Sequence, residues 1–214
     1  MALELQSVSI ALPGQMLLKP FALTVAPGEI VTVMGPSGCG KSSLLASIAG
    51  DLQPPLSGSG RILLDGEDVT ALAPERRRIG RLFQDDLLFP HMTVAENLLF
   101  GMPRGSRQTR DAMLRAALQR IEMEGLGSRP PHTLSGGQRA RVSLMRTLLA
   151  KPGAVLLDEP FNKFDAELRG EMRAYVFAHL AERRVPGLLV THDRADAPPG
   201  GRVLAIRNGE VRDA

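Results

Sequence analysis

The sequence predicts an α/β protein: a mostly parallel, buried sheet interrupted by a helical block. Three observations carry this expectation. Ile30–Met34 is apolar apart from Thr32 and includes two valines, as expected of a strand covered on both faces, and it leads straight into Gly35-Pro36-Ser37-Gly38-Cys39-Gly40-Lys41-Ser42. Leu44, Leu45, Ile48 and Ala49 then recur at helical spacing, with Gly50 placed to end the helix. Apolar strand-like runs return at 154–157 and 187–191, separated by a helical stripe of Leu168, Met172, Val176 and Leu180.

The remaining elements follow in order. Leu3–Leu12 alternates like a strand, Pro13-Gly14 breaks it, and 21–25 resumes before Pro27-Gly28. Pro54-Pro55 and Ser57-Gly58-Ser59-Gly60 read as a loop, followed by a short strand at 61–64, a turn at Asp65-Gly66 and a strand at 79–83. From 94 to 150 the period is helical, with Met113, Leu114, Leu118 and Ile121 on one face and Val142, Met145, Leu148 and Leu149 on another. Asn208-Gly209 reads as a hairpin turn between the last two strands. The organisation expected is one domain over 1–214, with a core at about 1–85 and 151–214 and a helical subdomain at about 86–150.

Bulk properties exclude several functions. The 214 residues suit one domain with a full core. A net charge of +3 is mild, and the tightest basic run, Arg76-Arg77-Arg78, has no interleaved aromatics, so it reads as a solvated loop and nucleic acid is not an expected partner. Cys39 is the only cysteine, which rules out an intrachain disulfide and agrees with a reducing compartment. Met1-Ala2-Leu3-Glu4-Leu5 lacks the basic start and apolar run of a signal peptide, and no stretch approaches the ~18 apolar residues of a membrane span. A cytoplasmic protein is expected, reaching a membrane only through a partner.

The glycine-rich stretch has the spacing of a phosphate-cradling loop. Its glycines let backbone N–H groups approach a polyphosphate, Lys41 can reach the β- and γ-phosphates, and the Ser42 hydroxyl can bind Mg²⁺. Val155-Leu156-Leu157-Asp158-Glu159 supplies the complement, an apolar strand delivering two carboxylates to the edge where α/β sheets bind ligands. Asp158 would hold Mg²⁺ through its water shell and Glu159 would orient and deprotonate the attacking water. Farther along, Leu134-Ser135-Gly136-Gly137-Gln138 puts a serine N-cap and two glycines at a helix start, whose free N–H groups favour a second phosphate face. One chain therefore carries one copy of each half of a nucleotide site.

With these motifs in this order, the chain resembles the ATP-binding cassette (ABC) ATPases over essentially its whole length. Gly35, Pro36, Ser37, Gly38, Cys39, Gly40, Lys41 and Ser42 match the Walker A loop, Gln84 the Q-loop, and Ser135, Gly136, Gly137 and Gln138 the family signature. Asp158 and Glu159 match Walker B with its catalytic glutamate, Asp165 the D-loop aspartate, and His192 the switch histidine. The resemblance implies a P-loop NTPase of the ABC nucleotide-binding type, with a RecA-like core, an antiparallel β subdomain and an inserted helical subdomain. It implies ATP and Mg²⁺ as ligands, Gln84 sensing Mg²⁺ and water, and His192 contacting the γ-phosphate. It also implies a head-to-tail homodimer, or a pair with a second ABC subunit, sandwiching two ATP. Asp165 has a local role open to it as well, capping the following helix.

Residues 83–97 look like those of bacterial importer ATPases, in which this stretch receives a coupling helix from a membrane permease; Leu88, Phe89 and Met92 fit a buried core equally well. An importer subunit on the inner face of the membrane is the reading preferred, with a non-transport regulator or scaffold of the cell-division type as the alternative. A module that no longer hydrolyses fits poorly with Glu159, His192 and Gln84 all present. Three departures stand out: Leu12 where an aromatic residue often stacks on adenine, Phe161-Asn162-Lys163-Phe164-Asp165 in place of a small-residue D-loop, and a chain ending soon after the last hairpin, so that the regulatory C-terminal domain of some relatives is not expected. Cys39 lies inside the loop, so a bulky adduct there should block phosphate entry. Treatment with N-ethylmaleimide is expected to abolish ATP hydrolysis, and ATP to protect; full activity in the alkylated protein contradicts this placement.

Overall fold

In the computed structural model, which describes residues 1–214, the strands are β1 (Leu3–Leu12), β2 (Gln15–Val25), β3 (Ile30–Met34), β4 (Ser57–Leu64), β5 (Glu67–Asp68), β6 (Ile79–Leu82), β7 (Ala154–Asp158), β8 (Gly187–Val190), β9 (Val203–Arg207) and β10 (Glu210–Asp213). The helices are α1 (Lys41–Ala49), α2 (Val94–Gly101), α3 (Arg107–Arg120), α4 (Gly136–Leu149) and α5 (Ala166–Glu182). The chain divides into two compact units, Met1–Arg81 with Gly153–Ala214, and Leu82–Pro152.

The first unit contains both sheets. One is antiparallel, in the order β2-β1-β4-β5; the other runs β10-β9-β3-β8-β7-β6. β3 pairs parallel with β8 and β9, and β8 with β7. Every residue of β7 and β8 is buried, as their continuous apolar sequences require. α1 buries Leu44, Leu45, Ile48 and Ala49 and stops at Gly50, whose φ of 86° suits only glycine and whose N–H bonds Ala46 O at 2.9 Å. These side chains join Leu3, Leu5, Ile10, Val31, Val33, Leu156, Leu188 and Ile206 in one core.

Expectations for the antiparallel sheet and then for Arg77 are corrected here. Ser57-Gly58-Ser59-Gly60 is not a loop but the first half of β4, paired with β1 as Ser9↔Ser59, Ile10↔Gly58 and Ala11↔Ser57. The register slips between Gln6 and Ser9, and there Gly60 (φ 96°) lies so close to Ser7 that a Cβ would sit 2.5 Å from its carbonyl oxygen. Glycine here serves a bulge and a close backbone approach, which composition alone does not distinguish from a turn. β2 likewise begins at Gln15 rather than at 21, so Pro13-Gly14 is only the hairpin tip.

The second correction concerns Arg77. Arg76 and Arg78 are exposed, but Arg77 is 6% exposed. Its guanidinium donates to the carbonyls of Ser47 (3.1 Å) and Ile48 (2.9 Å) at the end of α1, and to those of Leu72 (2.9 Å) and Thr70 (2.5 Å). A cation at a helix C-terminus satisfies carbonyls that have no intrahelical donor and complements the dipole. Burial lowers its pKa, yet guanidinium remains charged.

The second unit is helical. Asn97, fully buried in α2, knots the preceding loop: its Oδ1 accepts from Phe89 N at 2.9 Å and its Nδ2 donates to Phe89 O, Met92 O and Thr93 O. Thr93 and Glu96 close a capping box at the start of α2. α2 packs tightly on α4, where a Cβ on Gly101 would lie 2.5 Å from Arg146 O. Replacing Arg77 by methionine should destabilise the protein by roughly 2–4 kcal/mol, because four carbonyls lose a donor in a dry setting. Urea unfolding should show a lower midpoint with an unchanged slope; an unchanged midpoint contradicts the clamp.

Candidate functional site

Between β3 and α1 the backbone is bent by two left-handed glycines, Gly38 (φ 79°) and Gly40 (φ 101°). A Cβ on Gly40 would press on Leu17 and Leu18 of β2 at 3.1–3.2 Å, and one on Gly35 would lie 2.7 Å from Cys39 Sγ, whereas at Gly38 the space is open. Gly40 is the N-cap of α1 and offers no side chain to its first turn, so those N–H groups face outward unclaimed by a side-chain cap. Lys41 folds back over the loop, its Nζ donating to Gly35 O (2.8 Å) and Pro36 O (2.9 Å). A glycine-rich loop that opens a helix lacking a side-chain cap, with Lys41 folded over it, fits a polyphosphate.

Asp158 ends β7 beside this loop. It is 4% exposed; burial raises its carboxyl pKa, Glu159 adds to this, and a hydrogen bond with Ser42 and the charges of Arg81 and Lys41 oppose it. Arg81 is itself paired with Asp51, its Nη1 contacting both carboxylate oxygens at 2.6 Å, and it reaches Ser42 O at 3.4 Å. Ser42 and Asp158 thus present two neighbouring oxygens, and no group of three His, Cys, Asp or Glu side chains is placed to hold a metal alone. That donor set fits Mg²⁺, which takes one or two protein oxygens and fills its shell with phosphate and water.

Glu159 follows in a left-handed backbone conformation (φ 49°), with its N–H on Val190 O at 2.9 Å. Its carboxylate is held from two sides: Oε1 lies 2.9 Å from His192 Nδ1, and Oε2 accepts from Asn162 Nδ2 at 2.9 Å. His192 sits on the turn after β8. That turn is tied to α5 by Arg169, which donates to both oxygens of buried Asp196 (2.9 and 2.6 Å), while Thr191 Oγ1 donates to Asp196 at 3.0 Å. The Glu159 hydrogen bond is the main reason that the imidazole pKa is raised, with the Glu159 charge second.

In the second unit, Ser135 is the N-cap of α4. Its Oγ accepts from Gln138 N (3.2 Å) and its N–H donates to Gln138 Oε1 (2.9 Å), a closed capping box. The box uses Ser135 and Gln138 on each other and leaves Gly136 and Gly137, without side chains, at the open end of the helix. Gln84 belongs to this unit and is exposed; two residues on, Asp86 pairs with Arg139 of α4 at 3.3 Å. Asp165 caps α5 through Leu168 N at 3.0 Å. Phe164 turns inward against Phe161, so its bulk lies in the core rather than at the surface.

A family model described as "ABC transporter" matches residues 18–162. The chain is 44% identical to the uncharacterized ABC transporter ATP-binding protein YnjD of Escherichia coli K12, covering 93% of this chain and 92% of that protein. This chain belongs to the ABC transporter family. Among other relatives, the spermidine/putrescine import ATP-binding protein PotA of Frankia alni is 43% identical over 87% of this chain, and the sulfate/thiosulfate import ATP-binding protein CysA of Thermosynechococcus vestitus is 40% identical over 99%. The chain spans only 40% and 63% of the length of those two. Among solved structures, the ATP-binding cassette MJ0796 in a dimeric post-hydrolysis state with ADP and Pi matches with a TM-score of 0.86 at 30% identity, over 99% of this chain and 97% of that one.

Four contributors were not singled out from sequence: Asn162, Arg81, Asp51 and Asp196. Asn162 had a legible signal, an amide three residues after the carboxylate within a turn; the others act across the fold. His192 should titrate above the usual ~6.5 in the folded ABC protein. Because its folded pKa is raised, the stability it contributes is present in acid and is lost as pH rises through that value. Proton NMR of the His192 ring should show the raised midpoint and a return toward ~6.5 in Glu159→Gln; an identical midpoint in both contradicts the pairing.

Proposed function

We propose that this ABC ATPase binds ATP on the Gly35–Ser42 loop, with Mg²⁺ held by Ser42 and Asp158, and drives a separate membrane permease, for import. The observation that carries the reading is the contact of Ser42 with buried Asp158 directly before a carboxylate held by His192. Mg²⁺, when bound, neutralises developing charge on the phosphates. Lys41 exchanges its two loop carbonyls for phosphate oxygens. Glu159, aimed by its neighbours, orients the attacking water and takes its proton. His192 faces the γ-phosphate. Gln84 would sense Mg²⁺ and the attacking water.

The homodimer is supported by the dimeric cassettes of similar fold and by the presence of one loop and one serine–diglycine helix start per chain. In a head-to-tail pair, Ser135, Gly136 and Gly137 of one copy close over ATP held by the other. Import is supported by the names of the polyamine and sulfate relatives. It also accords with the half-buried state of Leu88, Phe89 and Met92, which are neither core nor fully solvated. No helix is long and apolar enough to cross a membrane. The subunit would work at the inner membrane face. Glu159→Gln should lower turnover by about 10²- to 10⁴-fold while keeping ATP binding, and should accumulate as an ATP-bound dimer on size-exclusion chromatography. Normal turnover in this variant contradicts the role of Glu159.

A further inference from the structure

We propose that Asn162 is a positioning residue for Glu159, an inference that rests on the reading of Glu159 as general base. The backbone at Glu159 is fixed by its left-handed conformation and by the N–H bond to Val190 O. The side chain is held less firmly. A single partner on Oε1 lets a carboxylate turn about its last bond, and that partner, His192, is 67% exposed on its side chain. The Asn162 amide holds the other oxygen at 2.9 Å, so the plane of the carboxylate is set by two donors rather than one.

Asn162 is exposed, but its backbone is anchored on both sides. Its N–H reaches back to Glu159 O at 3.4 Å, and Phe161 and Phe164, which flank the Asn162-Lys163 pair, are both buried. Their rings pack together at 6.5 Å, and Phe161 also meets Phe177 edge-on at 6.3 Å. The aromatic pair therefore anchors the turn that brings the amide to Glu159. An amide suits this position because it donates a hydrogen bond without charge and does not take the proton that Glu159 is to receive. Asp165 does not substitute for it, since its carboxylate caps α5.

The test is steady-state ATP hydrolysis and direct ATP binding by the purified full chain, for Asn162→Ala and Asn162→Asp, each also in the Glu159→Gln background. Asn162→Ala should lose about ten- to a hundredfold in kcat with KM, ATP affinity and melting temperature unchanged. Asn162→Asp, which keeps size and turn preference but removes the donor, should lose at least as much; a merely structural role at an exposed turn would tolerate it. In the Glu159→Gln background neither change should lower the residual rate further. Wild-type kcat in both variants, or an equal loss that persists without the Glu159 carboxylate, overturns the proposal alone. An inactive wild-type protein overturns the functional reading and this inference with it.

Discussion

The site is organised around a buried charge. Asp158 closes a strand in which all five residues are buried, and a carboxylate in that position is costly unless cations or donors face it. The fold supplies them from two elements: the Ser42 hydroxyl and Lys41 from the start of α1, and Arg81 from β6. Arg81 is in turn held by Asp51, just beyond the end of α1. The same helix is gripped at its C-terminal carbonyls by Arg77. The helix that follows the glycine-rich loop is thus anchored at its start beside a buried carboxylate and at its end by a buried guanidinium.

The chain treats its two candidate anion sites differently, and the difference is chemical. α1 begins at a glycine, so no side chain caps the N–H groups of its first turn. α4 begins at a serine whose hydroxyl already holds the third N–H, with glutamine closing the box from the other side. A site that must enclose a triphosphate needs many donors; a surface that only lies against one needs a pre-formed, rigid edge. Gly136 and Gly137 let such an edge approach closely.

Much of the fold was legible because its signals are local. Ile30–Met34 and the Leu44, Leu45, Ile48, Ala49 stripe occur where periodicity places them, and Gly50 adopts the left-handed cap that its position implies. Asn208-Gly209 forms the expected hairpin turn, both residues with positive φ. The failures came where a residue's role depends on a distant partner. Arg77 reads as surface from its neighbours, and only the end of α1, some thirty residues earlier, makes it internal. Ser57 to Gly60 reads as a turn, and only pairing with Ser9 and Ala11 makes it a strand. In the candidate site, the glycine-rich loop, the carboxylate pair and the Ser135 cap were readable from spacing; of the two hydrogen bonds to Glu159, the one from Asn162 had a local signal, but the one to His192 did not, because it spans thirty-three residues.

Whether the two phosphate-facing helix starts serve one nucleotide across two copies is best measured by complementation. Lys41→Ala disables the loop and Ser135→Arg blocks the opposing edge, so each variant alone should be inactive. Mixed after separate purification, they form pairs in which one site joins an intact loop from one copy to an intact Ser135 from the other. ATP hydrolysis should reappear in the mixture. A mixture that forms heterodimers yet stays as inactive as its components contradicts a site shared between copies.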